Sequence, residues 1–182
     1  MERTTGGPGG GVVASELHLY LAVAPRAGKT FLMLDAAHRM KHEQGADIVI
    51  GLIETHGRKE TAERIRDLEV IPEKITSTPG VREPDIDRIL ARRPQMVVVD
   101  ELVYAVPGGK NRNRCEAILR LLHADIGVIT AVNVEHLETL GDARRHTPAC
   151  EIVPDSFVQR VTRTVYIDIS TAALRRRLRE EF

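Results

Sequence analysis

Five short runs dominated by aliphatic and β-branched residues punctuate this chain: LHLYLAVA (17–24), DIVIGLIE (47–54), MVVVDEL (96–102), GVITAVN (127–133) and RTVYIDI (163–169). Longer stretches with apolar residues at helical spacing and polar breaks lie between them. This alternation constrains the fold more than any other feature, because parallel strands need a long crossover, and a helix provides one while burying its own apolar stripe on the sheet. The expected fold class is therefore α/β: a mostly parallel sheet with helices on both faces. At 182 residues and 42% hydrophobic content, the chain is long enough for one core and short for two. It contains no internal repeat.

Between the strands, the spacing predicts a helix opening at Lys29, with Leu32, Met33, Ala36, Ala37 and Met40 on one face and Gly45 as its stop. It predicts a solvated helix over 58–67, and a short one over 84–93 with Ile86, Ile89 and Leu90 inward and Pro94 as its end. A helix over 113–124 carries Ile118, Leu121 and Leu122, and another over 134–145 carries Val134, Leu137 and Leu140. VYAVPGGKNRNR (103–114) reads as a mobile basic loop carrying Lys110, Arg112 and Arg114, and TAALRRRLREE (171–181) as a basic C-terminal helix. The opening MERTTGGPGGGVVASE has almost nothing to bury, so residues 1–15 are expected to be a disordered Gly-rich leader and 16–182 the domain.

Lys plus Arg and Asp plus Glu both total 26, so no net field draws in nucleic acid or an anionic membrane, and binding must come from a local site. No apolar stretch approaches the roughly 20 residues of a membrane span, and no apolar signal region opens the chain. A cytoplasmic domain without direct membrane insertion is expected. Cys115 and Cys150 are too few for a disulfide framework and read as structural thiols. No cluster shows zinc spacing.

The local site is expected at LYLAVAPRAGKTFLML (19–34), a strand, turn and helix. Gly28-Lys29-Thr30 would stand at the first helical turn, where unpaired N–H groups and the positive dipole end attract phosphate. Lys29 supplies a point charge and Thr30 a hydroxyl for Mg²⁺, within a nucleotide-binding turn formed by Pro25, Arg26, Ala27, Gly28, Lys29, Thr30 and Phe31. Gly-Lys-Thr alone would suit any strand-to-helix turn with an exposed lysine. MVVVDE tips the balance, since four apolar residues leading into an acid form the Walker B pattern that complements such a turn. Asp100 would then orient Mg²⁺ with Thr30, and Glu101 would be catalytic only if hydrolysis occurs, by polarising the attacking water. Glu54, Thr55, His56, Gly57 and Arg58 sit at the carboxyl end of the second strand, where open α/β sheets bind ligands. They form a candidate switch, although a helix cap with a solvated arginine would use the same letters. His136 reads as a packed residue rather than a ligand.

GKTFLMLDAAHRM, GLIETHGRKET, LEVIP, ARRPQMVVVDEL, AVNVEHLETL and VPDSFV, in this order, together resemble the cytoplasmic N-terminal domain of the KdpD family of sensor histidine kinases, over about residues 17–180. The resemblance implies a RecA-like P-loop NTPase architecture that binds ATP with Mg and serves regulation in a potassium and osmotic two-component system. It also implies partners: ATP or ADP, and the rest of a sensor kinase or other potassium-system proteins. The chain shows no phosphoacceptor helix or kinase lid, so no kinase activity of its own is expected. Relative to the family's G-x-x-x-G-V-G-K-T loop, Ala22 and Arg26 occupy glycine slots and Ala27 replaces valine. Tyr104, Ala105 and Val106 replace a His-Thr-Asn run expected near the γ-phosphate. Binding without efficient turnover follows as the expectation. Two alternatives stand beside it: a stand-alone P-loop ATPase or small-molecule kinase or transferase, and a nucleotide-free interaction module using the basic C-terminal helix.

Overall fold

The computed structural model describes residues 15–23, 27–106, 110–139 and 152–167. The expected leader up to residue 14, Pro25 and Arg26 of the expected phosphate turn, Leu140 with the rest of the segment to 145, Cys150 and the basic helix 171–181 all lie outside the described residues. In chain order the elements are β1 (Leu17–Ala22), α1 (Lys29–Gln44), β2 (Ile48–Leu52), α2 (Lys59–Glu63), β3 (Glu69–Val70), α3 (Ile86–Arg92), β4 (Met96–Val99), β5 (Val103–Val106), β6 (Lys110–Asn113), α4 (Cys115–His123), β7 (Gly127–Asn133), a 3₁₀ turn (Val134–His136), α5 (Asp155–Val158) and β8 (Arg163–Ile167).

Six strands form one sheet in the order β3-β2-β4-β7-β1-β8, with every pairing parallel. The α/β expectation holds, and its physical basis is visible in β1, whose side chains alternate between two cores. Leu17, Leu19 and Leu21 pack with Ile86 and Ile89 of α3, Ile118 and Leu121 of α4, and Phe157 of α5. Tyr20 and Ala22 pack instead with Met33, Leu34 and Ala37 of α1. A strand covered on both faces has no polar alternation, which is why β2, β4 and β7 read as apolar runs. Each aliphatic side chain buried this way contributes about 1.5–3 kcal/mol. In β2, Gly51 leaves room for a close helix: an added Cβ would lie 2.8 Å from Ile89 Cδ1 and 2.9 Å from Val97 Cγ2.

Several local expectations are corrected. The buried stripe of α1 is rotated from the one predicted, so Leu34 is buried while Leu32 is 37% exposed. Its stop is as expected, with Gly45 left-handed at φ 67° and its N–H bonded to the Lys41 carbonyl. The segment 58–67 is helical only over the five residues of α2, then continues in turns. Arg64 ties it to α1 through Asp35 at 2.9 Å, and the His38 ring donates to the Arg64 carbonyl at 2.6 Å. The expected loop at 103–114 is an antiparallel hairpin of β5 and β6. Where a helix from 134 was expected, one 3₁₀ turn suffices, after which Leu137 bridges in parallel to Val153. Leu137 is still buried, as expected of its apolar side chain, but on a bridge rather than a helix.

Candidate functional site

All six strands run the same way, so β1, β2, β4 and β7 deliver their carboxyl ends to a single edge. At that edge Gly28 takes φ 93°, a conformation that glycine adopts without Cβ strain, and turns the chain into the 16-residue α1. The first turn of α1 contains no acidic residue, leaving its free N–H groups and positive dipole end without an internal anion. β7 lies between β1 and β4, so the lysine and the aspartate approach each other across an intervening strand.

The first two side chains of α1 reach across this gap. Lys29 Nζ donates to Asn133 Oδ1 at 2.5 Å, at the end of β7, and Thr30 Oγ1 donates to Asp100 Oδ2 at 2.8 Å, just beyond β4. Asp100 is buried and also accepts from the Glu101 N–H at 2.9 Å and the Glu54 N–H at 3.4 Å. Burial pushes its carboxyl above the ordinary aspartate range, and the hydrogen bonds from Thr30, Glu101 and Glu54 partly oppose that shift. Burial likewise lowers the Lys29 ammonium below its ordinary value, opposed by the charges of Asp100, Glu101 and Glu135. Ionising either group thus carries a cost, and the charged form of each would gain from an opposite charge: a cation beside Thr30 and Asp100, an anion beside Lys29 and the helix start. A magnesium-bound polyphosphate carries both charges at short range, so the donor set fits that group.

The segment Glu54-Thr55-His56-Gly57-Arg58 folds over this edge. His56 (φ 48°) and Gly57 (φ 73°) are both left-handed, and the Arg58 N–H closes the turn on the Thr55 carbonyl at 3.0 Å. His56 Nε2 lies 3.1 Å from Glu101 Oε1, and Glu101 is itself left-handed at φ 51°. Two non-glycine residues in this sparse region, facing each other across that contact, mark a place where the surrounding structure outweighs a backbone cost of order 1–3 kcal/mol each. Burial raises the Glu101 carboxyl, with Asp100 and Glu54 adding to the shift and His56 opposing it. Glu54 is held at 2.8 Å by Arg82.

These groups enclose a cavity of about 440 Å³, within the size range of small-molecule sites. Its wall brings together Ala27, Gly28, Lys29, Thr30 and Phe31 with Glu54, His56, Arg58, Asp100 and Glu101. Thr55 and Gly57 shape the adjacent turn without lining the cavity. Asn133 and His136 also line it, and neither had been expected as a site residue. The available signal was position, since Asn133 closes the apolar run GVITAVN and His136 stands in the turn that follows it. Two further expectations fail on the hairpin. Tyr104 lines a different cavity, of about 290 Å³, and donates to Glu83 at 3.1 Å, while Val103 faces the first. Arg114 is 5% exposed instead of lying on a mobile surface loop. The side chains of Ala105, Val106 and Lys110 lie outside the description.

Comparison with known proteins adds an independent line. Residues 14–181 match the family described as KdpD, the osmosensitive K⁺ channel His kinase sensor domain. The chain belongs to the KdpD sensor-domain family. This KdpD domain is 41% identical over 169 residues to the sensor protein KdpD of Mycobacterium tuberculosis, covering 90% of the chain and 20% of that protein. It is 39% identical over 171 residues to the sensor protein KdpD of Escherichia coli K12, with coverage of 91% and 19%. It is also 39% identical over 168 residues to that of Clostridium acetobutylicum, with coverage of 89% and 19%. The KdpD domain therefore spans about a fifth of the length of these relatives. Among the described residues, no helix is long and apolar enough to cross a membrane.

Proposed function

We propose that this domain binds Mg-ATP in the cavity at the sheet edge and acts as a regulatory nucleotide-binding module of a KdpD-type potassium sensor, with no kinase activity of its own. One observation carries the reading: the Thr30 hydroxyl on the Asp100 carboxylate at 2.8 Å, one residue after a lysine that opens a helix. Walker A and Walker B chemistry calls for this meeting of hydroxyl and acid at a metal. The strand order, with β7 between the two motif strands, is compatible with a RecA-like P-loop architecture. Thr30 and Asp100 would hold the metal, directly or through its water, while Lys29, Gly28 and the first turn of α1 would hold phosphate oxygens. Glu54, His56 and Arg58 would respond to the terminal phosphate, because they line the same cavity and a phosphate contact can order such a segment. ATP and ADP are then the small-molecule partners, and the remainder of a sensor kinase is the partner that reads the bound state.

Calorimetric titration with Mg-ATP and Mg-ADP tests the proposal. Saturable binding by the wild type and its loss in Lys29→Ala are expected, and equal affinity in the two would refute the assignment. A second reading, ATP hydrolysis, is favoured by Glu101, whose raised carboxyl pKa and place on the cavity wall suit a group that takes up a proton. Turnover that disappears in Glu101→Gln would support it.

A further inference from the structure

Arg114 is the most deeply buried arginine among the described residues, and its partners are backbone carbonyls rather than carboxylates. Nη1 donates to the Glu101 carbonyl, and Nη2 donates to the Arg82 carbonyl at 2.8 Å. The ring of Tyr104 covers the guanidinium, 3.7 Å from Cζ to the ring centroid, and the Arg114 N–H bonds to the Leu102 carbonyl at 2.8 Å. Nε is buried without a partner, so the group sits where the two carbonyls need it, at the expense of its own hydrogen bonding. Both recipients matter to the cavity. Glu101 lines it in a left-handed conformation. Arg82, anchored through its carbonyl, extends its side chain to Glu54 at 2.8 Å and to Glu73 at 2.9 Å through Nε.

We propose that Arg114 is a positioning residue for the acidic rim of the site: its forked donation to the carbonyls of Glu101 and Arg82 fixes Glu101 directly and Glu54 through the Arg82 side chain. The meaning of that rim as a nucleotide-responsive element rests on the function proposed above, but the positioning itself does not. A planar guanidinium can bridge two carbonyls in fixed directions, whereas an ammonium acts from one point. The stacked Tyr104 extends the arrangement to β5, so the hairpin and the cavity share one buried cation.

The test uses the whole chain, with Arg114→Met, Arg114→Lys and Tyr104→Leu, each followed by NMR of the Glu54 and Glu101 carboxyl carbons and the His56 ring. All three variants are expected to move these resonances while those of Met33 and Ala37 in α1 stay in place, and Arg114→Lys is expected not to restore them. Where the wild type binds Mg-ATP, Arg114→Met is expected to weaken it roughly tenfold, the order seen when a residue that orients ligands is lost. Unmoved Glu54 and Glu101 signals in folded Arg114→Met would overturn the proposal, as would full recovery in Arg114→Lys. Should Arg114→Met not fold, unmoved signals in Tyr104→Leu decide against it in the same way. Shifted signals in a wild-type background that does not bind Mg-ATP would uphold the positioning role and reject the nucleotide reading alone.

Discussion

Thr30 and Asp100 stand 70 residues apart in the chain, and the hydroxyl of the first donates to the carboxylate of the second at 2.8 Å. The bond joins the start of α1 to the end of β4, where the proposed Mg-ATP would need both oxygens. Thr30→Ala is expected to weaken Mg-ATP about tenfold while leaving ATP in EDTA little changed, as read by calorimetry in the two buffers. Equal losses in both would remove the metal role from Thr30.

Asp100 also makes a prediction about stability. Burial raises its folded-state carboxyl above the ordinary value of 3.8, so between that value and the raised one the folded chain holds more protons than the unfolded chain. The Asp100 contribution to stability therefore falls as pH rises through this window. Asp100→Asn is expected to melt at a higher temperature than wild type at pH 7, and the gap is expected to close as pH falls toward 3.8. A variant less stable than wild type at neutral pH would show that the three hydrogen bonds to the carboxylate outweigh its desolvation.

Gly51→Ala tests the fit of α3 on the sheet. The new methyl would press on Ile89 Cδ1 and on the stiff Val97 Cγ2, at 2.8 and 2.9 Å, and overpacking of this kind costs about 1–3 kcal/mol. For a chain of this size each kcal/mol lowers the melting temperature by roughly 2–4 °C. Calorimetric melting should show that drop, and an unchanged melting temperature would mean that the helix shifts freely.

Cys115 opens α4, where a helix dipole would ordinarily favour the thiolate, yet burial pushes its thiol up to about 12. In a Cys150→Ser background, the remaining thiol is expected to react slowly with a disulfide reagent at pH 8 in the native protein and rapidly in urea. Fast native reaction would place Cys115 in an opened segment.

What the sequence revealed depended on how each element meets solvent. IVIGL, MVVV and GVITAVN were legible as strands because both faces are covered, which leaves unbroken apolar runs. β3 was not, since its two residues, Glu69 and Val70, are exposed at the sheet edge and carry no burial signal. KNRN passed for a loop because β6 is short and polar, and only its pairing with VYAV makes it a strand. Val134 and Leu137 are three apart, as in a helix, but a single 3₁₀ turn produces the same spacing. That Lys29, Thr30 and Asp100 come together at one sheet edge was readable from motif chemistry. Arg114 was not, because a charged residue in a polar stretch looks solvated until tertiary contacts enclose it. Asn133 ends a legible strand, but its meeting with Lys29 required the strand order, which no local pattern encodes.

The interposed strand has a further consequence. With β7 paired on both sides, the ends of β1 and β4 are separated by two inter-strand spacings, roughly 9.5 Å, and backbone ladders deep in the protein hold that span. The gauge of the pocket is therefore set by the ladders beneath it, and a substitution in the lining would change the chemistry of the pocket while leaving that gauge in place.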